Sequence, residues 1–148
     1  MPVPVAQRGY PQFVNATIAE HGAYRQANLV QVSFTPDEMN SAIDWMSEQM
    51  QRKIYSPELE QYGYEVQSAR LLNTEEGPLG IFYFVDAEGQ TVTLAVRPHD
   101  ESVADYRFRI VDVNNEKLAY WTDEGLDYSL LANVNTAMMT TLAAAVSP

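Results

Sequence analysis

The stretch GIFYFVDAEGQTVTLAV, at residues 80–96, has the pattern of two β-strands joined by a tight turn. A run of apolar and aromatic residues leads into the turn sequence DAEG at 86–89. Alternation then resumes, with Val92, Leu94 and Val96 on one face. This combination predicts a β-hairpin, and we expect further strands on either side of it.

Segments on both sides of this hairpin have the same character. Five more segments alternate, or carry apolar runs, between turn residues and are predicted to be strands: Leu29–Phe34, Tyr64–Leu72, Tyr106–Val113, Lys117–Trp121 and Leu126–Leu131. Tight turns are expected at Asn114-Asn115 and at residues 123–125. We therefore expect an antiparallel β-sheet of about six or seven strands, formed by successive hairpins.

Three segments have helical periodicity. Thr35, Pro36 and Glu38 form a capping box at the start of the second helix, and Asn135 is the expected N-cap of the third. Apolar residues then recur at helical spacing. The helices are predicted at about 11–26, 36–53 and 135–146. We expect an α+β fold in which these helices pack on one face of the sheet.

Length and composition indicate one domain. The chain has 148 residues, of which 1–11 are rich in Pro and Gly and are predicted to be a flexible linker or tail, while 12–148 form a single domain. The absence of cysteine excludes disulfides and thiolate zinc sites. The net charge of −11 repels phosphate backbones, so nucleic-acid binding is not expected.

The sequence offers little for catalysis. His21 and His99 are its two histidines, and neither has a partner at metal-ligand or catalytic spacing. We expect His21 to be a packed or hydrogen-bonded core residue, and His99 to be exposed in a loop. The adjacent carboxylates at 75–76, 100–101 and 123–124 are expected to diverge into solvent. No catalytic residue, metal or cofactor is therefore predicted.

Aromatic residues are the better candidates for a binding site. Tyr83, Tyr120, Trp121 and Tyr128 come from predicted strands that could lie near one another. Aromatic side chains on strands usually fill the core, and some instead line an apolar pocket or a partner surface. We take these four as the predicted ligand-binding or partner-binding residues, with core packing as the alternative.

A series of short motifs follows in order along residues 20–146. In chain order they are His21-Gly22-Ala23-Tyr24, Val30-Gln31-Val32, a helix bearing Trp45, Ser56-Pro57-Glu58-Leu59, Tyr62-Gly63-Tyr64, Arg70-Leu71-Leu72, Gly77-Pro78, Tyr83, Gly89, Thr93-Leu94, Trp121 and Tyr128-Ser129-Leu130-Leu131. This order resembles the C-terminal extracytoplasmic region of proteobacterial transmembrane anti-sigma factors that control extracytoplasmic-function sigma factors. Two departures are Ala132, where a glycine is usual, and Gln31, where an acidic residue is common.

The resemblance implies a sensory or regulatory domain on the periplasmic side of the inner membrane, in a single-pass membrane protein. It would respond to an envelope signal or a partner protein. Contact with the sigma factor would be made only by an upstream cytoplasmic segment, and a transmembrane helix would lie before Met1.

Other readings stay open beside this one. A periplasmic small-molecule or protein-binding module with no link to sigma factors would have a signal peptide upstream instead. An enzyme would need carboxylates such as Asp123 and Glu124 to converge with a histidine in one cleft. The exposed edges of a hairpin sheet also predict that the domain pairs with itself as a homodimer.

Overall fold

The computed structural model describes residues 10–27 and 36–147, with the side chains of residues 10–23 and 38–147. Along these residues the elements are α1 (Gln12–Ala27), α2 (Pro36–Met50), a 3₁₀ turn (Glu60–Tyr62), β1 (Glu65–Thr74), β2 (Gly77–Val85), β3 (Thr91–Pro98), β4 (Arg109–Val113), β5 (Glu116–Asp123), β6 (Leu126–Ala132) and α3 (Thr136–Val146). The predicted strand Leu29–Phe34, the cap at Thr35 and most of the predicted linker lie outside the described residues.

The six strands form one antiparallel sheet in the order β1-β2-β3-β6-β5-β4. The predicted α+β fold, with an antiparallel sheet and three helices packed on it, is confirmed. Successive hairpins build two three-stranded units, β1-β2-β3 and β4-β5-β6. The last strands of these units, β3 and β6, pair at the centre of the sheet. Residues 99–108 carry the chain from β3 to the opposite edge, and we call them the crossover segment.

Tight turns close the second unit as the sequence predicts. Asn114 and Asn115 have φ angles of 50° and 68°, and Glu124 and Gly125 have φ angles of 49° and 79°. Two consecutive residues with positive φ are the mark of a type I′ turn, whose twist matches that of the strands it joins. Asparagine and glycine adopt this conformation at little cost, which explains why these dipeptides predict the turns correctly.

The helices cover both faces of the sheet, so the expectation that they share one face is wrong. Helix α1 packs against one face through a cluster that includes Phe13, Ile81 and Leu118. Helices α2 and α3 pack against the other face through a cluster that includes Met46, Leu94 and Leu142. Every residue of the central strand β6 is buried. A strand is buried along its whole length only when both faces of the sheet are covered.

Several element ends differ from the predictions, among them the start of β2, which lies at Gly77 instead of residue 80. Helix α2 ends at Met50 instead of about residue 53, because Gln51 adopts a φ of 54°, which is incompatible with a continuing helix. Strand β4 begins at Arg109, while Tyr106 contacts β5 outside the strand ladder, through two hydrogen bonds with Thr122 and a ring contact with Tyr120. Among the described residues, no helix is long and apolar enough to cross a membrane.

Strands β1 and β4 form the two edges of the sheet. Edge strands present backbone groups that can pair with another chain. Self-association of the domain therefore stays a prediction, and light scattering at high protein concentration is the measurement that checks it.

The start of helix α3 is capped as predicted, since Oδ1 of Asn135 accepts a hydrogen bond from the backbone N–H of Met138 at 2.8 Å. We expect Asn135→Ala to lower the free energy of unfolding by about 1 kcal/mol, because that N–H loses its partner. Urea unfolding measures the change. The control is Thr140→Ala in the same helix, which should change stability by less than about 0.5 kcal/mol. Equal effects of the two substitutions would contradict a capping role.

Candidate functional site

The structure divides the four predicted binding residues between the two faces of the sheet. Tyr83 and Tyr120 lie under α1, whereas Trp121 and Tyr128 lie on the face covered by α2 and α3. All four are buried, and the rings of Trp121 and Tyr128 stack with centroids 5.2 Å apart. They therefore do not line one common pocket. The hydroxyl of Tyr83 donates a hydrogen bond to Glu20 at 2.9 Å. The pKa of Tyr83 is raised, mainly by burial and secondly by this hydrogen bond.

A group of polar side chains that the sequence analysis missed lies under the N-terminal half of α1. We call Arg97, His99, Thr122 and Asp127 the Asp127 cluster. Asp127 has 0% of its surface exposed. Its Oδ2 accepts a hydrogen bond from Nε of Arg97 at 2.9 Å, and its Oδ1 lies 2.7 Å from both Nδ1 of His99 and Oγ1 of Thr122. The carboxylate is thus held by three donors from three parts of the fold.

Strand register brings this cluster together. Asp127 lies opposite Arg97 in the β3–β6 pair and opposite Thr122 in the β5–β6 pair. Directly opposite residues of antiparallel strands point to the same face, so all three side chains point toward α1. His99 follows the end of β3, where its backbone N–H donates to the carbonyl of Gly125 at 2.9 Å.

Arg97 links the cluster to the β1–β2 turn and to α1. Its Nη1 donates to Glu76 at 2.7 Å, and the guanidinium lies over the ring of Phe13, 4.5 Å from the centroid. Burial lowers the pKa of Arg97, but the hydrogen bonds with Glu76 and Asp127 outweigh it and raise the pKa overall. The cation is therefore held by two carboxylates and an aromatic face.

His99 is 8% exposed, so the expectation of an exposed loop histidine is wrong. Its Nε2 lies 2.7 Å from the carbonyl of Val103, which can only accept, and its Nδ1 faces the carboxylate of Asp127. Both ring nitrogens therefore donate, which requires the imidazolium form. Burial lowers the pKa of His99, but the hydrogen bonds to Val103 and Asp127 and the charges of Asp127 and Asp105 raise it above its ordinary value.

A cavity of about 460 Å³ borders the cluster. Arg97 and Glu76 line it from the sheet, while His99, Val103 and Tyr106 line it from the crossover segment. Its size falls in the range of small-molecule sites, and its walls combine apolar surface with a few convergent polar groups. This cavity, with Arg97 and His99 of the Asp127 cluster in its wall, is the candidate site.

The second histidine belongs to the C-terminal half of α1 itself, and its ring points toward the sheet. His21 is buried, with Nδ1 at 2.8 Å from Oγ1 of Thr93 and Nε2 at 2.9 Å from Oε2 of Glu116. The expectation of a hydrogen-bonded core histidine is confirmed. Hydroxyl, imidazole and carboxylate occur in the order of a nucleophilic triad. Thr93 is nevertheless fully buried beneath α1, so no substrate can reach its hydroxyl in this conformation.

Both histidines thus have acidic partners that are remote in sequence, which the spacing analysis did not anticipate. The carboxylates are Glu116 and Asp127, not Asp123 or Glu124. At the cavity, Nε2 of His99 donates to a carbonyl and has no lone pair to accept a substrate proton, so this geometry does not position a general base. The absence of catalysis stays a prediction. Over residues 10–27 and 36–147, no group of three or more His, Asp or Glu side chains could hold a metal ion.

Comparison with protein-family models, with curated proteins and with solved structures finds no match to this chain. The resemblance to anti-sigma factors therefore rests on the motifs in the sequence alone.

Proposed function

We propose that this chain is the extracytoplasmic sensory and regulatory domain of a transmembrane anti-sigma factor. It acts by binding an envelope signal or a partner protein and not by catalysis, and it does not itself hold the sigma factor. An upstream cytoplasmic segment would make that contact.

The observation that carries the proposal is that motif residues far apart in sequence touch one another. His21, from the first motif, is hydrogen-bonded to Thr93, 72 positions later. Within the closing motifs, Trp121 stacks on Tyr128, its direct partner in the β5–β6 hairpin. The contact of His21 with Thr93 joins the first motif to a later one within one folded unit, which supports treating the motifs as one set.

The position of α1 supports a regulatory role. His21 and Glu20 attach α1 to the sheet through hydrogen bonds with Thr93 and Tyr83, and Arg70 adds an ion pair to Glu20 at 3.3 Å. A helix held partly by polar contacts can exchange those partners for others, including those of a ligand or a protein. Regulation requires two states that a signal binds unequally, and α1 offers an element on which they could differ.

The gene sequence upstream of Met1 and a deletion in the full-length protein test this proposal. We expect one apolar span of about 20 residues upstream of Met1. In the full-length protein, deletion of residues 12–148 is expected to make a sigma-dependent reporter insensitive to envelope stress. The matched control is full-length protein carrying Asp44→Asn on the exposed face of α2, which should respond normally. An upstream signal peptide with no apolar span, or a deletion that leaves the response intact, would refute the proposal.

The cavity favours a second candidate, a periplasmic small-molecule or protein-binding module with no link to sigma factors. A volume of about 460 Å³ beside a buried arginine suits a small ligand with polar groups. This candidate requires a signal peptide upstream, so the same gene sequence distinguishes the two.

A further inference from the structure

We propose that residues 100–105 form a flap that the protonated imidazole of His99 holds closed beside the cavity, and that loss of the His99 proton releases it. This inference goes beyond the proposed function and does not depend on it.

The flap is anchored at both of its ends and exposed between them. At one end, the backbone N–H of His99 donates to Gly125. At the other end, the N–H of Tyr106 donates to Oγ1 of Thr122 at 2.8 Å, and its carbonyl accepts from the N–H of Thr122 at 2.9 Å. All six residues from 100 to 105 are exposed. An exposed segment between two fixed points can open locally at low cost.

The ring of His99 makes a part-buried contact that holds the flap. Nε2 donates to the carbonyl of Val103 at 2.7 Å and lies 3.3 Å from Oδ1 of Asp105, while Nδ1 binds Asp127 on the sheet. The flap is also tied to the body of the domain by an ion pair between Glu101 and Arg52 at 3.1 Å. Both of those side chains are solvent-accessible, so this pair contributes little.

Charged groups face His99 from each element around it. They are Asp127 on β6, Arg97 on β3, Asp100 and Asp105 on the flap and, through Arg97, Glu76 on the β1–β2 turn. The ring of Tyr106 also packs on that of His99, with centroids 5.7 Å apart, and burial raises the pKa of its hydroxyl, so Tyr106 stays neutral where His99 titrates. Arg97 is already neutralised by its two carboxylates. The remaining charges on the flap side are negative and favour a cation on the imidazole.

Loss of the proton breaks the contact with the flap. A neutral imidazole carries one N–H, and the charged acceptor Asp127 retains it on Nδ1. The lone pair on Nε2 then faces the carbonyl lone pairs of Val103, which is repulsive. Since the pKa of His99 is raised, its contribution is complete below about pH 6.5, the ordinary histidine value, and is lost as the pH rises through the raised pKa.

Opening of the flap would change the cavity. His99, Asp100 and Val103 line one of its walls, so displacement of this wall widens the entrance. Proton concentration would thereby control access to the Asp127 cluster.

Amide hydrogen exchange of residues 101–105, corrected for the intrinsic pH dependence of exchange, tests the proposal between about pH 5.5 and about pH 9. We expect a constant opening equilibrium below about pH 6.5, then a rise of up to about tenfold per pH unit until the His99 pKa is reached. The pKa of the His99 ring, measured by NMR in the same samples, should equal the pH at which the opening equilibrium stops rising. Opening that does not change while the ring titrates would overturn the proposal.

Two flap variants sharpen the test without disturbing the core. Asp105→Asn removes an exposed carboxylate that faces the His99 ring and raises its pKa. In this variant the opening equilibrium should therefore stop rising at a lower pH. Glu101→Gln, the matched control in the same flap, should leave that end point unchanged. His99→Gln cannot titrate and should give pH-independent opening. If His99→Gln fails to fold, the other pair still decides, because equal end points in Asp105→Asn and Glu101→Gln would contradict the proposal.

Discussion

Replacement of Asp127 by asparagine is expected to lower the free energy of unfolding by about 3 to 5 kcal/mol. Asp127 is fully buried and accepts from Arg97, His99 and Thr122. An amide has one acceptor oxygen in place of two, so its NH₂ group must face a donor of Arg97 or His99. The charges of those two groups, which are 9% and 8% exposed, would also lose the carboxylate that neutralises them.

Urea unfolding followed by circular dichroism measures this effect. The control is Asp44→Asn, the same chemical change on the exposed face of α2, which should alter stability by no more than about 0.5 kcal/mol. Similar stabilities of the two variants would mean that the buried carboxylate of Asp127 does not stabilise the fold. The Asp127→Asn protein should also show a lower His99 pKa, because a negative neighbour is removed.

The order of elements is predictable from the sequence because the turns are encoded locally. Asn114-Asn115 and Glu124-Gly125 adopt the positive φ angles that close hairpins, and the capping residue Asn135 marks the start of α3. Each of these signals acts over a few residues and needs no knowledge of the rest of the chain. The pairing of β3 with β6 has no such signal, since the crossover segment of ten residues could lead to either edge of the sheet.

The assignment of helices to one face of the sheet fails for a related reason. Thr93 and Arg97 on β3, and Asp127 and Ser129 on β6, alternate with apolar residues. Alternation of this kind is typical of a strand with one face in water. Here α1 covers the polar positions, and hydrogen bonds between His21 and Thr93 and between Arg97 and Asp127 satisfy three of these four side chains. Periodicity cannot distinguish water from a buried polar layer.

The candidate site was missed for the same reason. His99 and Asp127 are 28 positions apart, and no spacing motif connects them. One signal was present: Arg97 and Asp127 are opposite charges within strongly apolar strands, where a charge usually survives only when it is paired. The four predicted aromatic residues lie in strands as expected, and their burial agrees with core packing, the alternative to a binding role. Strand register places them on two faces of the sheet, which composition does not encode.

Replacement of Phe13 by alanine is the second large effect that we expect, about 3 to 5 kcal/mol of lost unfolding free energy. Phe13 is 1% exposed, and its ring lies 5.6 Å from that of Tyr106 and 6.4 Å from that of Tyr120, with the guanidinium of Arg97 over its face. Truncation leaves a cavity where α1 meets the Asp127 cluster and removes the aromatic face that helps to hold the Arg97 cation.

This substitution separates an α1 that is integral to the folded domain from one that merely rests on it. If α1 is integral, Phe13→Ala lowers the midpoint of a single cooperative urea transition, because one core is lost as a unit. The matched control is Phe108→Ala, a ring that is 47% exposed and packs on Trp121, which should cost about 1 kcal/mol or less. A Phe13→Ala protein with the wild-type midpoint but rapid amide exchange confined to α1 would instead show a helix that detaches while the sheet stays folded. Detachment of that kind would supply the second state that a regulatory domain requires. The measurement therefore distinguishes a domain in which α1 moves from one in which the crossover segment moves while α1 stays in place.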